Sequence, residues 1–261
     1  MRARHAANAV VIAVILGTAA CSPGPSGGAA AAASPAASPV ASGPAASGGP
    51  AAAGPLHGRL RDGLLTQAQL PQGFNLNTAK IESTTTGAPH APASTVPLAS
   101  MPCSEIGVDS FMTRHAPPLE DVAVAMEQVP AVDGTSDTIE EGWFGQESID
   151  RYAPGGAAAV MSALRDAVAR CPSYKDTFVD GSSGETTVSS ATTAASGDEG
   201  LVVRTRTTMA DAGDPYLGET GFVRQGDVIL MVQKIGAQKP PAGVDAILVP
   251  AAAAYRAAAG R

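Results

Sequence analysis

The chain has 261 residues and carries 24 Asp and Glu against 17 Lys and Arg, a net charge of −7 at pH 7. Nucleic-acid binding needs clustered positive charge, so this acidic composition argues against a nucleic-acid partner. The same charge argues against electrostatic docking on anionic lipid.

The first 20 residues have the organisation of a secretory signal peptide. Arg2 and Arg4 precede the apolar run AVVIAVILG at 9–17, and small residues follow it at 18–20. This run is shorter than the roughly 20 apolar residues that a membrane-spanning helix needs, so we expect cleavage. The remaining chain then has 15 basic and 24 acidic residues, a net charge of −9.

Cys21 directly follows the signal, in the sequence LGTAAC. Ordinary cleavage would leave it as an incidental thiol. The alternative is a bacterial lipobox, although Thr18 replaces the leucine that is usual three residues before the cysteine. An exposed thiol is a liability outside the cell, whereas two or more acyl chains anchor a protein stably. We therefore predict that Cys21 carries diacylglycerol and palmitate-type acyl chains.

Residues 22–55 are all Ala, Gly, Pro or Ser except Val40. A tract without charge or bulk cannot bury enough surface to offset its backbone entropy. With Cys21 it is predicted to form a disordered linker over 21–55, spanning roughly 30 Å if flexible. Its composition favours an actinobacterial source. The folded domain is then 56–261, a length that suits one domain.

The first half of this domain contains one short helix and several strands. Thr66 and Gln69 in LLTQAQLPQGF have the spacing of a capping box. Residues 75–100 are predicted to be loop with at most one strand. Alternating apolar residues predict a strand over 121–129, and a second, less regular strand over 142–152.

The second half has the clearest elements. A helix is predicted over 155–171, and a half-solvated strand over 201–209. Residues 221–236 predict a hairpin whose second arm, VILMV, is apolar on both faces and belongs near the middle of a sheet. An Ala-rich helix closes the chain, with Pro250 expected at its first position. The fold class is therefore α+β, an antiparallel sheet with packed helices.

Cys103 and Cys171 are the two remaining cysteines, and both lie in the exported domain. In an oxidising compartment they are expected to form a structural disulfide. A redox-active pair would more typically have the CxxC spacing, which is absent.

The sequence contains no catalytic or metal-binding motif that we recognise, so we expect a non-enzyme without cofactor or metal. His57, His90 and His115 lie in Pro-rich, loop-like surroundings, which favours solvated side chains over a zinc site. The acidic residues of 133–141 miss the EF-hand spacing and are expected to form a solvated loop.

The few aromatic residues are candidates for the core or for a cleft. Phe144 is expected in the core. Trp143 and Tyr152 flank a strand whose partner face is partly polar, so they are candidates for lining a ligand cleft.

Several segments together resemble one family, the actinobacterial extracytoplasmic sensor-domain lipoproteins, which are similar to the outer domain of the mycobacterial PknH receptor kinase. The segments are LLTQAQLPQGF, the cysteine of MPCSEIG, SIDRYAPGGAAAV, ARCPSY and FVRQGDVILMV. The resemblance implies an antiparallel sheet with helices around a cleft for an extracellular ligand, without catalysis. The kinase-linked domain has a second disulfide, for which this chain lacks the cysteines.

Three functions remain open at this point. The first is a sensor-like ligand-binding lipoprotein, held to the outer face of the cell membrane by acylated Cys21, whose ligand is an unknown extracellular small molecule. The second is an envelope protein that acts through protein–protein contact, which predicts an exposed apolar patch. The third is a hydrolase with an unrecognised site, which predicts a cleft with a titratable pair.

Overall fold

The computed structural model describes residues 57–85, 94–107, 111–128, 143–177, 181–210, 215–236 and 243–260. These residues belong to one compact unit, Ala52–Arg261. The predicted signal peptide 1–20, Cys21 and the rest of the predicted linker to residue 55 lie outside the described residues, as does His90.

Four α-helices and eight strands make up the described domain. The helices are α1 His57–Asp62, α2 Phe111–His115, α3 Gly156–Arg170 and α4 Asp245–Ala259. The strands are β1 Phe74–Thr85, β2 Glu120–Gln128, β3 Trp143–Arg151, β4 Ser173–Thr177, β5 Ser183–Ala191, β6 Glu199–Met209, β7 Tyr216–Gln225 and β8 Val228–Gly236. Within this part of the chain, no helix is long and apolar enough to span a membrane.

All eight strands form a single antiparallel sheet in the order β1-β2-β3-β8-β7-β6-β5-β4. The α+β prediction is therefore confirmed. β8 lies between β3 and β7, as its apolar sequence predicted, because a strand with two buried faces needs a neighbour on each side and a layer above and below. The turn from β7 to β8 uses Gly226 at a φ of 61°.

The sheet has a hydrophobic layer on each face. On one face, hereafter the α4 face, α1 and α4 cover Val124, Val223 and Val232. On the other, the α3 face, α3 and residues around α2 cover Phe222 and Met231. Consecutive strand residues alternate between these layers, which explains why β8 is buried along nearly its whole length.

Helix α4 covers only part of its face. It packs closely on β7 at Gly221, where an added Cβ would lie 2.6 Å from a methyl carbon of Leu248. Strand β5 lies two strands further out, and its residues alternate between exposed and buried. The exposed set, which includes Thr187 and Ser189, lies on the α4 face beyond the reach of α4.

Cys103 and Cys171 form the predicted disulfide, with their Cα atoms 5.6 Å apart. The bond joins the end of α3 to the loop that contains Cys103. Arg170, the last residue of α3, reinforces this junction because its guanidinium donates hydrogen bonds to the carbonyl oxygens of Ala99 (3.2 Å) and Met101 (2.5 Å).

The capping box is confirmed, and the position of Pro250 corrects a prediction. The backbone N–H of Thr66 donates to Gln69 Oε1 at 2.8 Å, at the start of a single 3₁₀ turn.

Pro250, in contrast, lies inside α4, which begins at Asp245. The helix tolerates the missing N–H because Ile247 and Leu248, ahead of the proline, are fully buried in the core.

Candidate binding groove

A groove of about 460 Å³ lies on the α4 face, between the exposed surfaces of β5, β6 and β7 and the residues just before α4. We call it the polar groove. Its lining consists mainly of Thr, Ser, Arg and Glu side chains with short stretches of glycine backbone. The antiparallel register holds these side chains in two parallel rows across the strands.

The first row contains Ser189, Arg204 and Glu219, which are directly opposite one another. Arg204 donates from Nε to Glu219 Oε1 at 2.9 Å. The other carboxylate oxygen of Glu219 accepts the backbone N–H of Val244 at 2.8 Å, at the residue that caps α4. Glu219 thus links the groove floor to the start of the helix.

The second row contains Thr187, Arg206 and Leu217. Arg206 is exposed, and its guanidinium forms no ion pair or hydrogen bond with any residue that the structure describes. Thr187 and Ser189 are also exposed, so their hydroxyl groups point into solvent on the same face. The groove therefore presents donors to solvent on a rigid sheet.

Of the two candidate cleft residues, Tyr152 does not line this groove, and the side chain of Trp143 lies outside the described part of the chain. Trp143 begins β3, where its backbone lies opposite Gln128 and Gly236. Tyr152 follows β3 and belongs to the hydrophobic layer of the α3 face, with 5% of its surface exposed. Tyr152 therefore lies in the interior of the domain.

A buried polar cluster surrounds Tyr152 on the α3 side. Asp150 lies two residues earlier and opposite Asp121 of β2, with Ser148 next along the strand. The side-chain oxygens of Asp150, Ser148 and Tyr152 are buried, and they have no hydrogen-bond partner among the residues that the structure describes. Burial, with a further contribution from the charge of Asp121, raises the pKa of Asp150 to about 8. Burial likewise raises the pKa of Tyr152 well above 10.0.

Two further buried ionisable groups lie on the α4 face. Glu147 Oε2 accepts the backbone N–H of Leu65 at 2.9 Å, and burial raises the Glu147 pKa to about 8. Lys234 is 1% exposed, with Nζ 5.4 Å from the centre of the Phe74 ring. Burial lowers the pKa of Lys234 to about 7, against the opposing charge of Glu219.

His115 corrects the expectation of a solvated loop histidine. It ends α2 and is buried, with Nδ1 2.7 Å from the carbonyl oxygen of Val96 and Nε2 2.8 Å from Glu105 Oε2. Its two ring nitrogens are therefore occupied by neighbours on either side, which fixes the loop around residues 94–107. Among the described residues, no three histidine, cysteine or acidic side chains are grouped to hold a metal ion.

Phe144 corrects the expectation of a core aromatic. It is 68% exposed, near the start of β3, and lies opposite Ile235 of β8 and Glu127 of β2. Tyr216 and Ile235 are exposed as well. These side chains lie at the end of the sheet where the apolar layer has ended, as the exposed Glu127 beside Phe144 indicates.

No protein-family model and no curated protein matches the chain. Among solved structures, the chain is similar to the extracellular domain of PknH from Mycobacterium tuberculosis, with a TM-score of 0.52 and 10% sequence identity. The similarity covers 78% of this chain and 96% of that chain. The two domains share a fold. At this identity the likeness extends to the architecture and not to individual groove residues.

The groove residues were not identified as a site from the sequence, although a signal was present. Arg204 and Arg206 alternate with the apolar residues of β6, and this pattern was interpreted as the solvent side of a strand. Thr187 and Ser189 lie in the Ser- and Thr-rich β5, which was not predicted. Only the register of β5 against β6 places these four side chains together.

Proposed function

We propose that the chain is a lipid-anchored extracytoplasmic protein whose domain binds a ligand without catalysis, in the manner of a sensor domain. The observation that carries this proposal is the fold shared with the PknH extracellular domain over most of both chains. A groove of exposed polar side chains on the rigid sheet supports a binding role.

The disulfide supports both export and the lipid anchor. Disulfides persist in oxidising compartments outside the cytosol. The chain has three cysteines, and the bond between Cys103 and Cys171 leaves Cys21 as the remaining one. Cys21 also stands directly after the apolar leader, where lipoprotein processing attaches acyl chains. Acylation at this position would explain the odd number of cysteines.

The groove chemistry supports binding rather than catalysis. The described residues that line it include two arginines, one carboxylate and several hydroxyl groups, and no histidine, cysteine or lysine. The carboxylate of Glu219 is engaged by Arg204 and by the Val244 N–H. It is therefore poorly placed to act as a general base for a neighbouring hydroxyl.

The anchor is tested with Cys21→Ser in the native host, and Ser22→Ala serves as the matched control. We expect the wild type and Ser22→Ala to partition with membranes and to show acyl mass on Cys21 after loss of residues 1–20. Cys21→Ser should lose both the acyl mass and the membrane association. Unchanged membrane partitioning of Cys21→Ser would contradict the anchor.

Ligand binding is tested by thermal-shift screening of the full chain in detergent against cell-wall fragments and lipids. A hit that is lost in Ser189→Leu, which fills the groove, and retained in Phe144→Ser would support the proposal. The reverse pattern with a protein ligand would favour the protein-contact alternative. Turnover of any substrate by the purified chain would contradict a non-catalytic role.

A further inference from the structure

We propose that the polar groove binds a phosphate ester, with Arg206 as the main contact and with Thr187 and Ser189 as hydroxyl donors. This proposal names the ligand class of the groove and rests on the proposed function, in which the groove is the ligand site. Its evidence is the set of side chains that the register brings together there.

About half of the arginines that the structure describes pair with carboxylates, and Arg206 is not among them. Five described arginines pair with carboxylates, namely Arg114, Arg151, Arg165, Arg204 and Arg224. Arg206 has no such partner among the described residues, although the domain has an excess of acidic side chains. A guanidinium is planar and positively charged and carries five N–H donors. An anion is the ligand that this group binds best.

The spacing of the four donors favours a phosphate over a carboxylate. Thr187 lies opposite Arg206 and Ser189 opposite Arg204, so directly opposed Cβ atoms are roughly 5 Å apart. Residues two apart along a strand are separated by about 6.8 Å. A tetrahedral phosphate group presents oxygens in several directions and can accept from both strands at once. A carboxylate has two oxygens in one plane and satisfies a single guanidinium.

The remaining residues set the charge and the shape of the site. Glu219 neutralises part of the Arg204 charge and holds it in position, so Arg206 supplies the net positive charge of the groove. In the next row outward, Lys175 and Glu185 lie opposite each other and contribute no net charge. Leu217, opposite Arg206 on β7, offers an apolar contact for the carbon portion of an ester.

The experiment is isothermal titration calorimetry of the full chain in dodecylmaltoside, a detergent without phosphate. Three soluble probes are titrated: inorganic phosphate, glycerol 3-phosphate and glycerophosphoglycerol, the head group of phosphatidylglycerol. Arg206→Gln tests the main contact, and Arg61→Gln on the exposed surface of α1 is the control with the same change in net charge. Glu219→Gln removes the negative charge while keeping an oxygen that can accept the Val244 N–H.

We expect at least one probe to bind, with affinity lowered about tenfold or more in Arg206→Gln and unchanged in Arg61→Gln. Glu219→Gln should bind more tightly, an effect that damage to the fold would not produce. Preference for glycerophosphoglycerol would indicate a lipid or polymer diester, and preference for glycerol 3-phosphate a soluble monoester.

Two results would overturn the phosphate proposal. One is the absence of binding by all three probes, and the other is an equal loss of affinity in Arg206→Gln and Arg61→Gln. If uncharged cell-wall fragments nevertheless bind and are lost in Ser189→Leu, the groove remains the ligand site and only the ligand class is wrong. If neither class binds, the proposed function fails as well.

Discussion

Asp121 of β2 and Asp150 of β3 lie directly opposite each other, so two carboxyl groups are neighbours on the α3 face of the sheet. Asp150 is fully buried, and within the described part of the chain neither of its oxygens has a hydrogen-bond partner. The arrangement is stable when Asp150 carries a proton, because a neutral carboxyl group avoids both desolvation and repulsion by Asp121.

We predict that the free energy of unfolding decreases as pH rises from about 4 to about 8. In the folded state the pKa of Asp150 is about 8, whereas its ordinary value is 3.8. The folded state therefore binds more protons than the unfolded state over this range, and each such group lowers stability by at most about 1.4 kcal/mol per pH unit. The pKa of Glu147 is also raised to about 8, so this group too lowers the free energy of unfolding as the pH rises.

Asp150→Asn should remove part of this dependence, as measured by urea unfolding at a series of pH values. Glu147→Gln should remove another part, because an amide does not titrate. Its oxygen can still accept the Leu65 N–H, so the substitution keeps this hydrogen bond. The control is Asp166→Asn on the exposed side of α3, which should leave the profile unchanged. A profile of Asp150→Asn that coincides with the wild type between pH 4 and 8 would show that Asp150 is not protonated in the folded state.

Lys234 is expected to have the opposite effect at higher pH. Burial lowers its pKa to about 7 from 10.5, so between these values the folded state binds fewer protons than the unfolded state. Stability should therefore rise with pH over this range, and Lys234→Met should abolish the rise. Lys175→Met, at an exposed position on β4, is the control. A rise that persists in Lys234→Met would assign the effect to another group.

The sequence predicted the elements whose burial pattern is regular. The alternation in β2, the helical spacing in α3 and the doubly apolar β8 each follow from packing against a continuous core, and all three were found. The irregular cases failed for physical reasons. β5 is polar on its exposed face and rich in Ser and Thr, so its pattern resembles a loop. Pro250 was misplaced because burial of the preceding helical turn outweighs the local preference of proline for a helix start.

The candidate site was less predictable than the fold. Arg206 and Thr187 are about 20 positions apart in the sequence, and neither belongs to a motif. Their proximity depends on the β5–β6 register, which no local pattern specifies. Phe144 was expected in the core because it is aromatic, but its exposure depends on where the layers above the sheet end. The strand register and the exposure of a side chain at the end of the sheet both depend on tertiary structure.

Gly145 is predicted to be essential for pairing of β3 with β8. An added Cβ would lie 2.1 Å from the carbonyl oxygen of Gln233, a backbone atom that cannot move independently. Gly145→Ala should therefore destabilise the domain by about 1–3 kcal/mol or more in urea unfolding. The control is Gly243→Ala, where the nearest atom of another residue is 3.7 Å away. Equal stabilities of the two variants would contradict the close approach.

The disulfide is predicted to contribute a large part of the stability. Cys103 and Cys171 are 68 residues apart, and in the chain-entropy model closing such a loop stabilises the fold by about 4 kcal/mol. Replacing both cysteines with serine should lower the free energy of unfolding by about this amount. Cys21→Ser should have no effect on it, because Cys21 lies outside the bond.

Treatment with a reductant separates the effect of losing the disulfide bond from the effect of replacing the two cysteine side chains. Dithiothreitol should destabilise the wild type and Cys21→Ser but leave Cys103→Ser/Cys171→Ser unchanged. The hydrogen bonds of Arg170 to the carbonyl oxygens of Ala99 and Met101 do not need the bond, so the double variant should still fold. Wild-type stability that is insensitive to reductant, with thiol labelling at Cys103 and Cys171, would show that these arginine contacts hold the end of α3 without the disulfide.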